Sequence, residues 1–203
     1  MARGVKDPRV WQRMLSGRRL DLIDPSPVDV EIEDIAHGLA RMARWNGQTK
    51  GAHAYSVAQH SVLVEAIARS LAPDLSPQAQ AMILLHDAPE YVIGDMISPF
   101  KAVLGGDYKG VENRLLAAIH LRFGLPPAPT KPVAVIAKQA DKIAAWYEAT
   151  TLAGFARDEA DSFFGPPPRL MLDPRPYLQP EPAQKAQAIF LARFQEIDAA
   201  LAH

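Results

Sequence analysis

The 203-residue sequence contains no cysteine. Disulfide bonds, thiolate catalysis and zinc sites built on sulfur are therefore excluded. No apolar run approaches the ~20 residues that a membrane-spanning helix needs. The formal net charge is only −1, so there is no broad positive field to hold a long nucleic acid. A small phosphate-bearing molecule needs only one or two local cations and stays compatible with this composition.

The first twenty residues also lack the apolar run of a secretory signal. They carry six basic residues instead: Arg3, Lys6, Arg9, Arg13, Arg18 and Arg19. We therefore expect a cytoplasmic protein with no membrane partner, and the absence of cysteine agrees with that expectation. A homodimer is left open.

The hydrophobic content of 48% predicts a globular chain, in which 18 prolines separate the elements. No segment alternates clearly enough to predict a strand, so we predict one all-α domain. Ser76 and Pro77 have the pattern of a helix N-cap and first turn. The predicted helices span about 31–43, 55–70, 77 to 87 or 90, 107–123, 133–157 and 183–202. The predicted regions are an N-terminal extension (1–30), a core (31–157), and a proline-rich loop (158–182) followed by a C-terminal helix packing on the core (to 203).

A candidate for chemistry lies at the end of the apolar run AMILLHD, which closes with His86 and Asp87. A carboxylate at the inner end of a buried helix needs a partner, and a metal ion would satisfy both side chains. On a continuing helix, Glu90 would lie on the same side, three residues after Asp87. With Asp95 nearby, such a pocket would be strongly anionic and would favour a cation.

Two further side chains extend this constellation. His60 lies within VAQHSVLV and Asp141 within AKQADKIAA, so both are surrounded by small or apolar residues. Antiparallel packing of three helices would bring them to His86 and Asp87. Two imidazoles and two carboxylates suit one divalent Mn, Fe, Co, Ni or Zn ion better than Ca²⁺, and Mg²⁺ is less expected.

The order of these residues resembles a known signature. His60, His86-Asp87 and Asp141 are similar to the H…HD…D pattern of the HD superfamily of metal-dependent phosphohydrolases, which implies an HD-domain helical bundle. Within it, HDAPEYVIGDMISPFK (86–101) and ADKIAAWYE (140–148) resemble the bacterial 5′-deoxynucleotidase branch. The pair Arg44-Trp45, 15–16 residues before His60, resembles the Arg-Trp pair of that branch. The strings IEDIAHGLARM and YSVAQHS also look like a bacterial and phage subgroup of HD hydrolases.

The resemblance covers about residues 31–155 and implies a role for each matching side chain. Glu90 would position or deprotonate the attacking water, and Asp95 would orient that water or the leaving oxygen. Only one histidine, His120, lies between the His-Asp pair and the last Asp, whereas dinuclear members insert more, so one metal is expected. The implied metal ligands are His60, His86, Asp87 and Asp141.

The implied substrate contacts are made by three residues. Arg44 would clamp the phosphate, Lys101 would also reach it, and Trp45 would pack against the sugar and penalise a 2′-hydroxyl. The predicted reaction is hydrolysis of a phosphomonoester, foremost a deoxyribonucleoside 5′-monophosphate.

Two alternatives remain. One is a guanosine-alarmone pyrophosphohydrolase, although those relatives carry HD-x-x-ED and here Tyr91 follows Glu90. The other is a non-catalytic nucleotide sensor, which would not need Glu90 and Asp95.

Overall fold

The computed structural model of the chain describes residues 9–96 and 106–201. Eight α-helices dominate these ranges, which confirms the all-α prediction. Within the same ranges, no helix is both long and apolar enough to cross a membrane. The helices are α1 (Ile32–Leu39), α2 (Val57–Leu71), α3 (Pro77–Leu84), α4 (Glu90–Ile93), α5 (Gly106–Arg122), α6 (Lys131–Thr151), α7 (Arg157–Phe164) and α8 (Ala183–Leu201).

A small antiparallel hairpin precedes the helices, so the prediction of no strands was wrong in this segment. Strands β1 (Trp11–Arg13) and β2 (Arg19–Asp21) pair with Trp11 opposite Asp21. Gly17 adopts a φ of 89° in the connecting turn, a conformation that glycine reaches without steric cost. The guanidinium of Arg19 lies 4.3 Å from the Trp11 ring centroid. The strands are only three residues long, so the sequence shows no long alternating pattern. A cation–π contact between Arg19 and Trp11 connects them instead.

Several predicted helix ends also differ from the structure. Helix α1 ends at Leu39 rather than near 43, and α6 ends at Thr151 rather than near 157. Gly154, with a φ of 83°, lies between α6 and α7 and ends the helix that was predicted to continue to about 157. Helix α7 forms inside the predicted loop because Ala160 is buried and Phe164 packs against Trp45.

Helix α2 is the central element, since its first twelve residues, from Val57 to Ala68, are buried. It packs against α3, α6 and α8. The side chain of Ser56 caps its N-terminus by accepting a hydrogen bond from the Gln59 amide. The predicted cap of α3 is confirmed, because Ser76 accepts from the Ala79 amide and Pro77 occupies the first turn.

Glycine 38 sets the distance between α1 and α4. A Cβ at Gly38 would lie 2.8 Å from Tyr91 Cβ and 2.9 Å from the Tyr91 carbonyl oxygen. Only a residue without a side chain allows this approach. The contact fixes the short helix that begins at Glu90.

A buried ion pair attaches α8 to the central helix. Glu65 of α2 is 1% exposed and accepts from Arg193 Nε at 2.9 Å and Arg193 Nη2 at 2.7 Å. Arg69 Nε, whose side chain is 42% exposed, also donates to Glu65 at 2.8 Å.

Arg193→Ala is expected to lower the free energy of unfolding by about 3 kcal/mol, because it leaves a buried carboxylate with only its exposed partner. Arg69→Ala is the matched control and should cost about 1 kcal/mol or less, since a solvated ion pair contributes little. Urea unfolding followed by circular dichroism measures both. Equal losses in the two variants would contradict this account.

Candidate metal centre

His86 and Asp87 lie in a run of turns between α3 and α4, not on a continuing helix. The α-helical hydrogen bonds end at Leu84, and the His86 amide donates to the Ile83 carbonyl at 3.3 Å. Pro89 has no amide hydrogen and disfavours helical geometry at the residue before it. The prediction that this helix extends to 87 or 90 was therefore wrong, and Glu90 instead begins α4.

The predicted ligands converge on one point. His60 Nε2 lies 3.2 Å from Asp141 Oδ1 and 3.5 Å from Asp87 Oδ2. His86 Nε2 lies 3.3 Å from Asp87 Oδ2. Both Nε2 atoms are buried and make no hydrogen bond with the described residues, although carboxylate oxygens are close. Nitrogen and oxygen atoms that lie close together without hydrogen-bonding to one another have the arrangement expected of ligands around a cation.

The donor atoms of His60, His86 and Asp141 all lie within 4.8 Å of one another. Asp87 stands outside that set of three, yet its Oδ2 approaches both imidazoles. At 3.5 Å from His60 Nε2 and 3.3 Å from His86 Nε2, Asp87 Oδ2 is close enough to share an ion with both rings, so Asp87 is a candidate ligand. The Asp141 side chain is 41% exposed, so the centre has an open side.

The far nitrogen of each imidazole has an acceptor that fixes the ring. His60 Nδ1 lies 2.5 Å from Glu148 Oε1, and His86 Nδ1 lies 2.9 Å from the Ile83 carbonyl oxygen. An ionised carboxylate and a carbonyl can only accept, so each Nδ1 carries the proton. A neutral ring then directs the lone pair of Nε2 into the centre, as metal-ligating histidines do. The residues present therefore fit a divalent ion.

The electrostatics agree with this fit. Burial favours protonation of Asp87, but His86 and His60 outweigh it and hold the Asp87 pKa well below its usual range. Burial also acts to raise the pKa of Asp141, but His60 outweighs it, so the Asp141 pKa lies below its usual value. Burial and Arg44 act to lower the pKa of His60, yet Glu148, Asp141 and Asp87 raise it well above its usual value. The carboxylates thus create a centre that requires positive charge.

Arg44 reaches this centre through a local crossing of the chain. An isolated antiparallel bridge joins Ala43 to Ser56, and the Arg44 amide donates to the Tyr55 carbonyl at 2.8 Å. The bridge brings Arg44 beside the start of α2. Its Nη1 contacts Asp95 Oδ2 at 3.4 Å, and its Nη2 contacts Glu148 Oε2 at 3.3 Å. The predicted phosphate clamp is therefore placed by two carboxylates.

Trp45 follows in a left-handed turn. Its φ is 57°, and the indole Nε1 donates to Glu148 Oε2 at 2.9 Å. The ring packs against Phe155 and Phe164, with ring centroids 5.6 and 6.2 Å away. The indole is thus held by Glu148 of α6, by Phe164 of α7 and by Phe155 between the two helices.

The remaining predicted residues have distinct placements. Glu90 is 2% exposed at the start of α4, and its amide donates to the Asp87 carbonyl at 3.0 Å. Asp95 is paired with Arg44 rather than isolated at the centre. Lys101 lies outside the described residues.

Glu148 was not assigned a role by sequence reasoning, although it contacts three predicted site residues. It lies seven residues after Asp141, two turns along the same face of α6. A glutamate at that spacing within an apolar helix, and at the end of the string ADKIAAWYE, was the available signal.

Comparison with known proteins agrees with the arrangement. Residues 57–146 match the family model described as HD domain. The chain is 54% identical over 186 residues to the uncharacterized protein RCAP_rcc00048 of Rhodobacter capsulatus, covering 91% of this chain and 94% of that protein. The chain belongs to the HD-domain family. Over 106 residues it is also 40% identical to the uncharacterized protein YfdR of Escherichia coli, which covers 52% of this chain and 53% of that protein.

The HD-domain match separates two parts of the site. It includes the four candidate ligands together with Glu90 and Asp95, and it ends at Trp146. Arg44, Trp45 and Glu148 lie outside it. The HD family supports metal-dependent hydrolysis in general, whereas the substrate depends on residues beyond the match.

Proposed function

We propose that this HD-domain protein hydrolyses a phosphomonoester, specifically a deoxyribonucleoside 5′-monophosphate, with one divalent transition metal. One observation carries the proposal: two buried imidazole Nε2 atoms and the carboxylates of Asp87 and Asp141 converge beside the partly buried side chain of Arg44. A cation site next to a guanidinium suits a substrate that carries a phosphate.

Four residues would hold the ion: His60, His86, Asp87 and Asp141. When bound, such an ion supplies Lewis acidity that polarises a phosphoryl oxygen and favours ionisation of water. Mn, Fe, Co, Ni and Zn suit this nitrogen and oxygen set.

Arg44 would orient the phosphate. Burial acts against its charge, but Glu148 and then Asp95 raise its pKa above the usual value, so it stays a cation. Its three contacts with carboxylates use Nε, Nη1 and Nη2, while a guanidinium has five N–H donors. The side chain is 15% exposed, which leaves an edge accessible to an anion.

Glu90 would accept a proton from the attacking water, and Asp95 would orient that water or the leaving oxygen. Glu90 is buried, and its amide donates to the Asp87 carbonyl at 3.0 Å, so its backbone is fixed next to that of Asp87. General bases act from such fixed positions within hydrogen-bond reach.

Trp45 would select the sugar. Its indole directly follows Arg44 and is held in one position by Glu148 and two phenylalanines. An indole against C2′ would leave a ribose hydroxyl unsatisfied at a cost of ~1–3 kcal/mol. We expect wild type to hydrolyse deoxyribonucleoside 5′-monophosphates about tenfold to a hundredfold better than the matched ribonucleotides.

The experiment measures phosphate release from matched nucleotide pairs after the protein is stripped of metal and reloaded with Mn²⁺, Co²⁺, Ni²⁺, Zn²⁺ or Mg²⁺. Trp45→Ala should narrow the preference for deoxyribonucleotides over ribonucleotides. Trp45→Phe, which keeps an aromatic ring at this position, should retain part of that preference. Equal rates on both sugars in wild type would reduce the proposal to a general phosphomonoesterase. Pyrophosphate release from a guanosine alarmone alone, or nucleotide binding without turnover, would replace it.

A further inference from the structure

Glu148 is a completely buried carboxylate whose two oxygens contact different parts of the site. Oε1 lies 2.5 Å from His60 Nδ1, on the side of the ring away from the metal centre. Oε2 accepts from Trp45 Nε1 at 2.9 Å and from Arg44 Nε and Nη2 at 3.3 Å. Burying a charge in this way is unfavourable unless its partners compensate fully.

We infer that Glu148 is a positioning residue that couples the metal site to the Arg44–Trp45 segment. Through Oε1 it keeps the proton of His60 on Nδ1 and so presents Nε2 to the ion. Through Oε2 it holds the guanidinium and the indole. The first half of this inference, the contact with His60, concerns the metal alone. The second half, the contacts with Arg44 and Trp45, rests on the proposed function.

The donor pattern explains why this position needs a carboxylate rather than an amide. The side-chain groups that hydrogen-bond to the Glu148 carboxylate are N–H donors, on His60 at one oxygen and on Arg44 and Trp45 at the other. A glutamine has one acceptor end and one donor end, so it cannot satisfy both sides. Its carbonyl would remain with the cationic Arg44, and its NH₂ would then face His60 Nδ1. That contact favours a proton on Nε2, where the ion must bind.

The backbone of the neighbouring segment shows why the second contact matters. Trp45 and Asn46 have φ values of 57° and 51°, in the left-handed region that asparagine tolerates but that is unfavourable for a bulky residue such as tryptophan. Such conformations persist where surrounding contacts determine them. The bond from Trp45 Nε1 to Glu148 is one of these contacts, so α6 helps to hold the turn that carries Arg44.

Co²⁺ titration of the metal-stripped full-length protein, followed by visible absorption and calorimetry, tests the first half. Glu148→Gln is expected to weaken Co²⁺ binding about 10–100-fold, the usual effect of losing a partner behind a metal-ligating histidine. Glu65→Gln is the matched control, because Glu65 is also a buried glutamate with arginine partners but lies in the α2–α8 ion pair. It should bind Co²⁺ with wild-type affinity. Wild-type affinity in Glu148→Gln, or an equal loss in both variants, would overturn the inference.

A measurement on wild type covers the case in which Glu148→Gln does not fold. Long-range ¹H–¹⁵N spectra of the zinc-loaded protein should show His60 protonated at Nδ1 and metallated at Nε2. The opposite assignment would overturn the role of Glu148.

The second half is tested by kinetics at saturating Co²⁺. Glu148→Gln should raise KM for a deoxyribonucleoside monophosphate more than it lowers kcat, because Arg44 then contacts a neutral amide oxygen instead of a carboxylate and is held less firmly. An unchanged KM would remove the coupling to Arg44. If the protein hydrolyses no nucleotide, the proposed function fails, while the Co²⁺ affinities and the His60 spectrum still decide the metal half.

Discussion

Glu90→Ala is expected to retain its metal and to lower turnover by about 10²–10⁴-fold, the usual contribution of a positioned general base. Glu90 is 2% exposed and follows Asp87 by one turn of backbone, with its amide donating to the Asp87 carbonyl at 3.0 Å. The close imidazole–carboxylate distances at the centre involve His60, His86, Asp87 and Asp141, and the proposed role of Glu90 is to accept a proton rather than to bind the ion. Loss of a proton acceptor should therefore affect kcat without releasing the ion.

Elemental analysis and kcat are to be measured together for Glu90→Ala and for the volume-preserving Glu90→Gln. Both should keep the metal and lose activity, since neither side chain accepts a proton at neutral pH. Glu65→Gln controls for the replacement of a buried glutamate elsewhere in the fold. Normal turnover in either Glu90 variant would remove this residue from the mechanism, and loss of metal would instead make it a ligand.

The residues that converge at the centre could be predicted because their chemistry conflicts with their surroundings. His60 and His86 lie in apolar stretches of sequence, and a polar group that is buried there needs a partner. The structure brings both imidazoles to Asp87 and Asp141, which the sequence separates by up to 81 positions. Residue type and context indicated these side chains as candidates, and the resemblance to the H…HD…D signature implied that the four form one ligand set.

Local backbone geometry was less accessible. The extension of α3 past Leu84 was predicted from the apolar run, yet Pro89 removes a helical hydrogen bond and residues 85–89 form turns. Pro89 is visible in the sequence, but the prediction of the helix end followed the apolar run instead of this proline. The outcome matters for the site, because the side chains of the His-Asp pair are presented by a turn.

Glu148 and α7 could not be assigned from local pattern because their roles arise from tertiary contacts. Glu148 has the same helical face as Asp141, but only packing of α6 against α2 shows that it meets His60 Nδ1. Helix α7 has little apolar sequence of its own and is ordered against Trp45 and Trp146. The contacts of Glu148 with His60 and of Phe164 with Trp45 join residues that are 88 and 119 positions apart, so local pattern does not reveal them.

His86→Ala is expected to remove the metal, which wild type purified without chelator should carry at about one first-row transition ion per chain. His86 Nδ1 is held by the Ile83 carbonyl at 2.9 Å, so its Nε2 is aimed into the centre. Alanine leaves one imidazole, and the remaining carboxylates are weaker ligands for these ions. Asp87→Ala should lose the ion as well, because Asp87 Oδ2 lies between the two rings.

His120→Ala is the matched control for that experiment. His120 is 1% exposed, and its Nδ1 also contacts a backbone carbonyl, that of Pro127, at 3.3 Å. It makes the same type of ring contact as His86 and is more deeply buried, since the His86 side chain is 17% exposed, but it is not among the described side chains that cluster at the centre. His120→Ala should therefore lose stability and keep its ion. Full occupancy in both His86→Ala and Asp87→Ala would overturn the ligand assignment, and loss of the ion in His120→Ala would show that metal content follows stability instead.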